Sequence, residues 1–204
     1  MRKIIIRKQM KRFAIVAATI LAVTLFAGCD ALKQVGGAYN FTKCKYDYRS
    51  ITNPSLAGIN FSGGISAADG RRLAALLTNP TESLPLAFTL NLDVTNPTSS
   101  DAFMHGLSYV LNIDGVEFTR GKIENTLMVV AGQTSVMPLN INMDAMRLLG
   151  GSSKDAAVNM VKNLAGTGDK KSEVSVRIRP TFMVGGRALE SPAEIPVNFS
   201  FGGK

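Results

Sequence analysis

Cys29, Cys44, His105 and a thin scatter of carboxylates are the residues of this 204-residue chain whose types could do chemistry. A nucleophile needs a base beside it, and the base needs a group that orients it. His105 is the one histidine. With Ser108 and Asp101 it makes an arithmetically complete Ser-His-Asp set, but Ser108 falls inside an alternating apolar stretch and not in a Gly-x-Ser-x-Gly elbow. No Cys/His cluster has metal-ligand spacing, and no Gly-x-x-x-x-Gly-Lys-Ser/Thr loop offers a phosphate cradle. Gly63-Gly64 and Gly150-Gly151 are loop-type glycine pairs without a strand-turn-helix context. Asp93, Asp101 and Asp114 lie near strand ends, where solvated turn roles outweigh a cation site. The expectation is a protein that is not an enzyme, with no catalytic residue, no metal and no cofactor.

Cys29 stands in a different context. Six basic residues (Arg2, Lys3, Arg7, Lys8, Lys11 and Arg12) precede an apolar run of 14 residues, Phe13 to Phe26, which Ala27-Gly28-Cys29 closes. A charged region, a short apolar region and a small-residue cleavage site make up a secretory signal. The run is shorter than the ~20 residues a membrane-spanning helix needs. Its close resembles the lipobox of bacterial lipoproteins, with Phe26 where that family usually has Leu. The resemblance implies diacylglycerol on the Cys29 thiol, cleavage before it, acylation of the new amino terminus and so a membrane partner. Ordinary secretion with an incidental cysteine and a retained anchor are the competing readings. The expected division is a signal peptide over 1–28, a flexible tether over 29–37 and one domain over 38–204. The expected address is the bacterial cell envelope, with the membrane and leaflet left open.

The signal also accounts for the charge. The chain carries +8 overall, which alone would suggest a nucleic-acid or anionic-membrane partner. Residues 1–28 hold six of the 23 basic residues and none of the 15 acidic ones, so 17 basic against 15 acidic remain, a net of +2. Nucleic acid is therefore not expected as a partner. With Cys29 acylated, Cys44 has no disulfide partner, and the fold must hold by packing. Cys44 alternates with Tyr46 and Tyr48, the setting of a buried small apolar residue.

The elements follow from apolar period. Residues 41–51 read as a half-buried strand, and 56–61 as a second, after an Asn53-Pro54 turn. Ser66 and Asp69 suggest an acidic capping box for a helix over 66–78, with Leu73, Leu76 and Leu77 on one stripe and Asn79-Pro80 as its stop. Leu84, Leu86, Phe88, Leu90, Leu92 and Val94 alternate strictly, as do Leu107, Tyr109, Leu111 and Ile113. Asp114-Gly115 reads as a tight hairpin, and Arg120-Gly121 as a further turn. Residues 127–130 and 136–143 read as a strand pair around Gly132-Gln133. Helical period returns at 144–149, and again from Ser152 or Ser153 to Gly166. Two strands, one carrying Arg177 and Arg179 on one face and the other over 193–201, close the domain. About eight strands without a βαβ rhythm predict a mainly β fold, an antiparallel β-sandwich with one or two attached helices at its ends.

The middle of the chain adds a family resemblance. Leu92-Asp-Val-Thr-Asn-Pro-Thr, then Leu107-Ser-Tyr-Val-Leu-Asn-Ile-Asp-Gly-Val-Glu-Phe-Thr-Arg-Gly, then Val129-Val-Ala-Gly-Gln-Thr-Ser-Val-Met-Pro-Leu-Asn-Ile is similar to the LEA type 2 domain, the water-stress and hypersensitive-response (WHy) domain. The likeness spans residues 84–143, with Thr98 in place of the last Asn of an Asn-Pro-Asn triplet. It implies an immunoglobulin-like sandwich with a helix attached, no enzymatic activity, and an association with stress protection and binding. Its signature positions Asn96, Pro97, Gly115 and Gly121 carry scaffold expectations. Asn96 would bond its own turn and Pro97 preset the bend, while Gly115 and Gly121 would supply positive φ at hairpin ends. The leading expectation is a non-catalytic, lipid-anchored envelope protein with a binding or stress-protective domain. The alternative is a carrier of a small apolar or lipid ligand, which needs a cavity of several hundred Å³ lined by Met and Leu. Whether the partner is a protein or an apolar ligand stays open. Arg177 and Arg179 could meet an acidic partner.

Overall fold

A computed structural model of the chain describes residues 34–78, 83–150 and 153–203. The expected signal over 1–28, Cys29, the expected tether through residue 33, Asn79-Pro80 and Gly151 lie outside the described residues. The fold is a mainly β antiparallel sandwich. One sheet has the order β2-β1-β3-β8, built from β1 (Lys45–Leu56), β2 (Ile59–Asn60), β3 (Pro85–Thr95) and β8 (Thr134–Asp144). The other runs β10-β9-β5-β6, from β5 (Gly106–Ile113), β6 (Val116–Ile123), β9 (Ser172–Val184) and β10 (Arg187–Glu190), with β11 (Ile195–Phe201) also paired to β9. A short ribbon pairs β4 (Ala102–Met104) with β7 (Leu127–Val129). The sheets meet with β1 beside β11 and β8 beside β6, and Tyr48 stacks on Phe199 across the first of these seams at 4.3 Å.

Period-two patterning decides which faces meet. In β3 every second residue from Leu86 to Val94 is buried, and in β5 Leu107, Tyr109, Leu111 and Ile113 are buried. These join Leu139, Ile141, Val174, Val176 and Ile178 in one continuous core. Each fully buried branched side chain contributes about 1.5–3 kcal/mol, which is how a domain with a single described cysteine holds together.

Helices sit at both ends. Residues 34–43 are helical and are called α1, α2 is Ala67–Thr78, and α3 is Lys154–Leu164 after a 3₁₀ turn at Ala145–Leu148. At the near end lie α1, the Asn96–Asp101 loop, the β4–β7 ribbon and the Gly185-Gly186 turn. At the far end lie α2, α3 and the Asp114-Gly115 hairpin. Asp69 N donates to Ser66 Oγ at 3.1 Å, the expected cap of α2. Leu73 is buried and Leu76 half-buried beneath it. Gly166 adopts φ +70 just past α3, where a left-handed residue ends the helix.

Several elements depart from expectation. Residues 34–37, expected in the tether, belong to α1, so the described residues hold three helices against the one or two expected. Ala38, Phe41 and Cys44 recur at helical spacing and are buried; this stripe competes with the period-two reading from residue 41, and the strand begins only at Lys45. The chain does not break at Asn53-Pro54: β1 continues to Leu56, with Asn53 at φ +53 within an irregularity of its pairing to β3. Residues 127–129 pair with β4, and not with the strand that follows, which pairs with β3. Arg120-Gly121 is no turn, because β6 runs straight through it.

Candidate functional site

Of the described residues singled out for chemistry, Ser108, Asp101, Asp93 and Asp114 bond partners other than His105. Ser108 Oγ donates to Glu190 Oε1. Asp101 Oδ1 accepts from Ala131 N at 3.0 Å. His105 Nδ1 is buried without a partner among the described residues, and its ring lies edge-on to Phe103 at 6.0 Å. Asp93 pairs with Arg49 at 2.9 Å. Asp114 accepts from Glu173 N at 2.8 Å and from Asn159 Nδ2 at 3.1 Å, tying its hairpin to α3. No group of three or more metal-ligating side chains occurs among the described residues. Burial pushes the Cys44 thiol up to about 11, and its Sγ donates to Asn40 O at 3.5 Å. Burial, and then the neighbouring Cys44, raises the Tyr46 phenol, which donates to Phe41 O at 2.6 Å.

Asn96 is wholly buried and fully bonded. Its Nδ2 donates to Ser100 O at 2.9 Å and Val129 O at 3.0 Å. Its Oδ1 accepts from Thr98 N at 3.0 Å and Thr98 Oγ1 at 2.8 Å. It thus stitches its own turn to β7, which is more than the turn role expected of it. Pro97 follows on the exposed side of the bend. Gly115 has φ +81 beside Asp114 at +51, a primed hairpin turn. Gly121 does not share this conformation. It sits opposite Tyr109 in the β5–β6 ladder and leaves room for that ring.

The candidate site is built from register on the outer face of the β10-β9-β5-β6 sheet. Val110 pairs with Arg120 on one side and Arg177 on the other. Two residues back, Ser108 pairs with Lys122 and Arg179. Cross-strand partners point to the same face, so two rows of cations flank a floor of Val110 and Ser108. The flanking strands are about 10 Å apart. The resulting open trough, of about 420 Å³, is lined by these residues and Glu194. Glu194 Oε1 accepts from Arg179 Nη2 at 2.8 Å, and its Oε2 lies 3.7 Å from Arg177 Nη1. Arg120 is held by Glu117 at 2.6 Å. Lys122 has no ion pair among the described residues, and Arg177 Nε is buried without an acceptor. Exposed pairs of this kind contribute only ~0–1 kcal/mol each, so they exchange readily for an anionic ligand. The Arg177/Arg179 alternation was visible in the sequence. Arg120 and Lys122 alternate in the same way, but only register brings the two pairs together across β5.

Two apolar clefts also open to the surface. One, of about 240 Å³, lies among Met104, Leu107, Ile123, Leu127, Met137 and Pro138. The other, of about 570 Å³, lies between α1 and the β4–β7 ribbon. No described helix is long and apolar enough to cross a membrane.

No protein-family model matches the chain, and no curated protein matches it. Among solved structures, a crystal structure of an Archaeoglobus fulgidus protein is similar at 14% identity, covering 78% of this chain and 98% of its own, with a TM-score of 0.37. An Arabidopsis thaliana protein solved in solution is similar at 13% identity over 78% of this chain and 77% of its own, with a TM-score of 0.38. The solution structure of a "putative late embryogenesis abundant (LEA) protein" is similar at 13% identity over 92% of this chain and 86% of its own, with a TM-score of 0.39.

Proposed function

We propose that this is a lipid-anchored, non-catalytic envelope protein whose LEA type 2-like sandwich binds a partner bearing phosphate or carboxylate groups. The observation that carries the reading is the pair of cation rows, Arg120/Lys122 and Arg177/Arg179, facing each other across Ser108 and Val110, four cations against Glu194 between the two arginines, Glu117 on Arg120 and Glu190 on the Ser108 hydroxyl. A planar guanidinium favours bidentate contact with such anions. The anchor rests on the signal layout ending at Cys29. The non-catalytic part is supported by the structural engagement of Ser108 and Asp101 away from His105. The carrier reading finds less support: the Met- and Leu-lined cleft, at about 240 Å³, is smaller than the ~300–1,000 Å³ of typical ligand pockets.

The test has two arms. Full-length protein is titrated with inorganic pyrophosphate, and the Arg177→Ser/Arg179→Ser variant is expected to lose the saturable binding that the parent shows. Equal binding by both sinks the trough as the site. In the second arm, Cys29→Ser abolishes fatty-acid labelling and membrane retention, and normal labelling of that variant refutes the anchor.

A further inference from the structure

The near end of the sandwich displays large apolar side chains. Val35 and Tyr39, one turn apart on the outer side of α1, are 50% and 61% exposed, and Met128 and Val130 on and beside β7 are 57% and 47% exposed. Met128 lines the groove of about 570 Å³ together with Gly36, Gly37 and Asn40 of α1, so helix and ribbon form one surface. Lys43, a further turn along α1, sets its Nζ 5.1 Å from the centre of the Tyr39 ring. A tyrosine flanked by aliphatic groups, with a lysine stem lying alongside, is the side-chain chemistry of the boundary between acyl chains and headgroups.

The length of chain between Cys29 and Gln34 says what faces this surface. Cys29 and Gln34 are five residues apart, a span of at most about 18 Å when fully extended. Gln34 is itself fixed to the near end, since its Oε1 accepts from Gly185 N at 3.2 Å. A diacylglycerol on Cys29 therefore holds Val35 and Tyr39 within one short span of the headgroups. At so high an effective concentration, contacts too weak to bind a membrane alone become occupied. We infer that the near end, centred on Val35, Tyr39, Met128 and Val130, docks onto the lipid surface that receives the anchor, with α2 and α3 directed away from it. This rests on the lipid anchor at Cys29 proposed above.

The chain contains no tryptophan, so single reporters can be placed without background. Protein carrying Tyr39→Trp, Val130→Trp or Arg71→Trp on α2, produced from the full gene in a lipoprotein-processing bacterium, is reconstituted into phosphatidylcholine–phosphatidylglycerol vesicles whose acyl chains carry bromine. Flotation and fatty-acid labelling are recorded on the same samples. Emission from the Tyr39→Trp and Val130→Trp proteins is expected to shift to the blue and lose intensity in brominated vesicles, while the Arg71→Trp protein keeps its intensity. Protein that floats and is labelled but shows no quenching at either near-end position overturns docking and leaves the anchor standing. A blue shift without quenching means that a protein, another copy or a partner, covers the patch, and overturns docking equally. Quenching of equal strength in the Arg71→Trp protein overturns the end-on arrangement. Protein that neither floats nor is labelled overturns the anchor, and docking with it.

Discussion

The ring of Tyr109 occupies the space a side chain at Gly121 would need: a Cβ on Gly121 would stand 2.6 Å from the Tyr109 hydroxyl oxygen and 2.8 Å from Cζ. The two are direct partners in the β5–β6 ladder, and Tyr109 is 6% exposed, so the ring has little room to retreat. Gly121→Ala is expected to destabilise by about 1–3 kcal/mol, the range for overpacking. In an unhindered strand the same change would stabilise. Denaturant unfolding measures the difference. Adding Tyr109→Leu should recover part of the loss, a coupling that strictly additive effects would disprove.

Asn96→Ala leaves the carbonyls of Ser100 and Val129 and the amide of Thr98 without Asn96 as a partner. Ser100 O keeps the Thr98 hydroxyl at 2.8 Å, whereas Val129 O loses a buried bond; a buried group stranded in this way costs ~1–3 kcal/mol, so the expected loss is about 2–3 kcal/mol. Asn96→Asp keeps the acceptor for Thr98 but cannot donate to either carbonyl, and so should not rescue. A wild-type midpoint for the aspartate variant in urea would show that the turn and not the link to β7 matters.

Glu194 competes with any anion for Arg177 and Arg179. Glu194→Gln should therefore tighten pyrophosphate binding about two- to fivefold, the worth of one exposed pair. Arg179→Ser should weaken it. Both effects should shrink as salt is raised. Opposite or absent changes in isothermal titration would remove the trough from consideration.

Asp144 accepts from Ser83 Oγ at 2.8 Å, Leu84 N at 2.9 Å and Met146 N at 3.0 Å. The Met146 and Leu84 amides, then the Ser83 hydroxyl, hold its carboxyl below the usual carboxylate range. Because the folded value is the lower one, the contribution is complete above the unfolded value of about 3.9 and is lost as pH falls through the folded one. Wild type should exceed Asp144→Ala in stability by a constant margin near neutrality, and the margin should close in acid. A margin that widens in acid would contradict this assignment.

Much of the architecture can be read along the chain. Five apolar residues in strict alternation, Leu86 to Val94, make β3 unmistakable, Ser66 and Asp69 mark the start of α2, and Asp114-Gly115 makes its hairpin because both residues accept positive φ. These signals are local, carried by neighbours within a few residues. Helix α1 is harder to see. Its buried stripe is short, its Gly36-Gly37 pair has the look of a linker, and it coheres because Phe103 lies against Gly37 and Phe41 packs edge-on to Tyr46 and Phe182.

Residue order alone settles the alternating faces, the tight turns and the near-neutral balance of residues 29–204. Pairing across the chain settles the rest. Whether Gly121 is a turn residue or an inward gap depends on Tyr109 being its partner. Whether residues 127–129 join β8 or β4 depends on their register with the distant Ala102–Met104, since β8 pairs with β3 on one edge only. Whether Lys122 and Arg179 make one site depends on both pairing with Ser108. Each of these depends on a ladder register between distant segments, and a shift of one residue would turn every side chain to the opposite face.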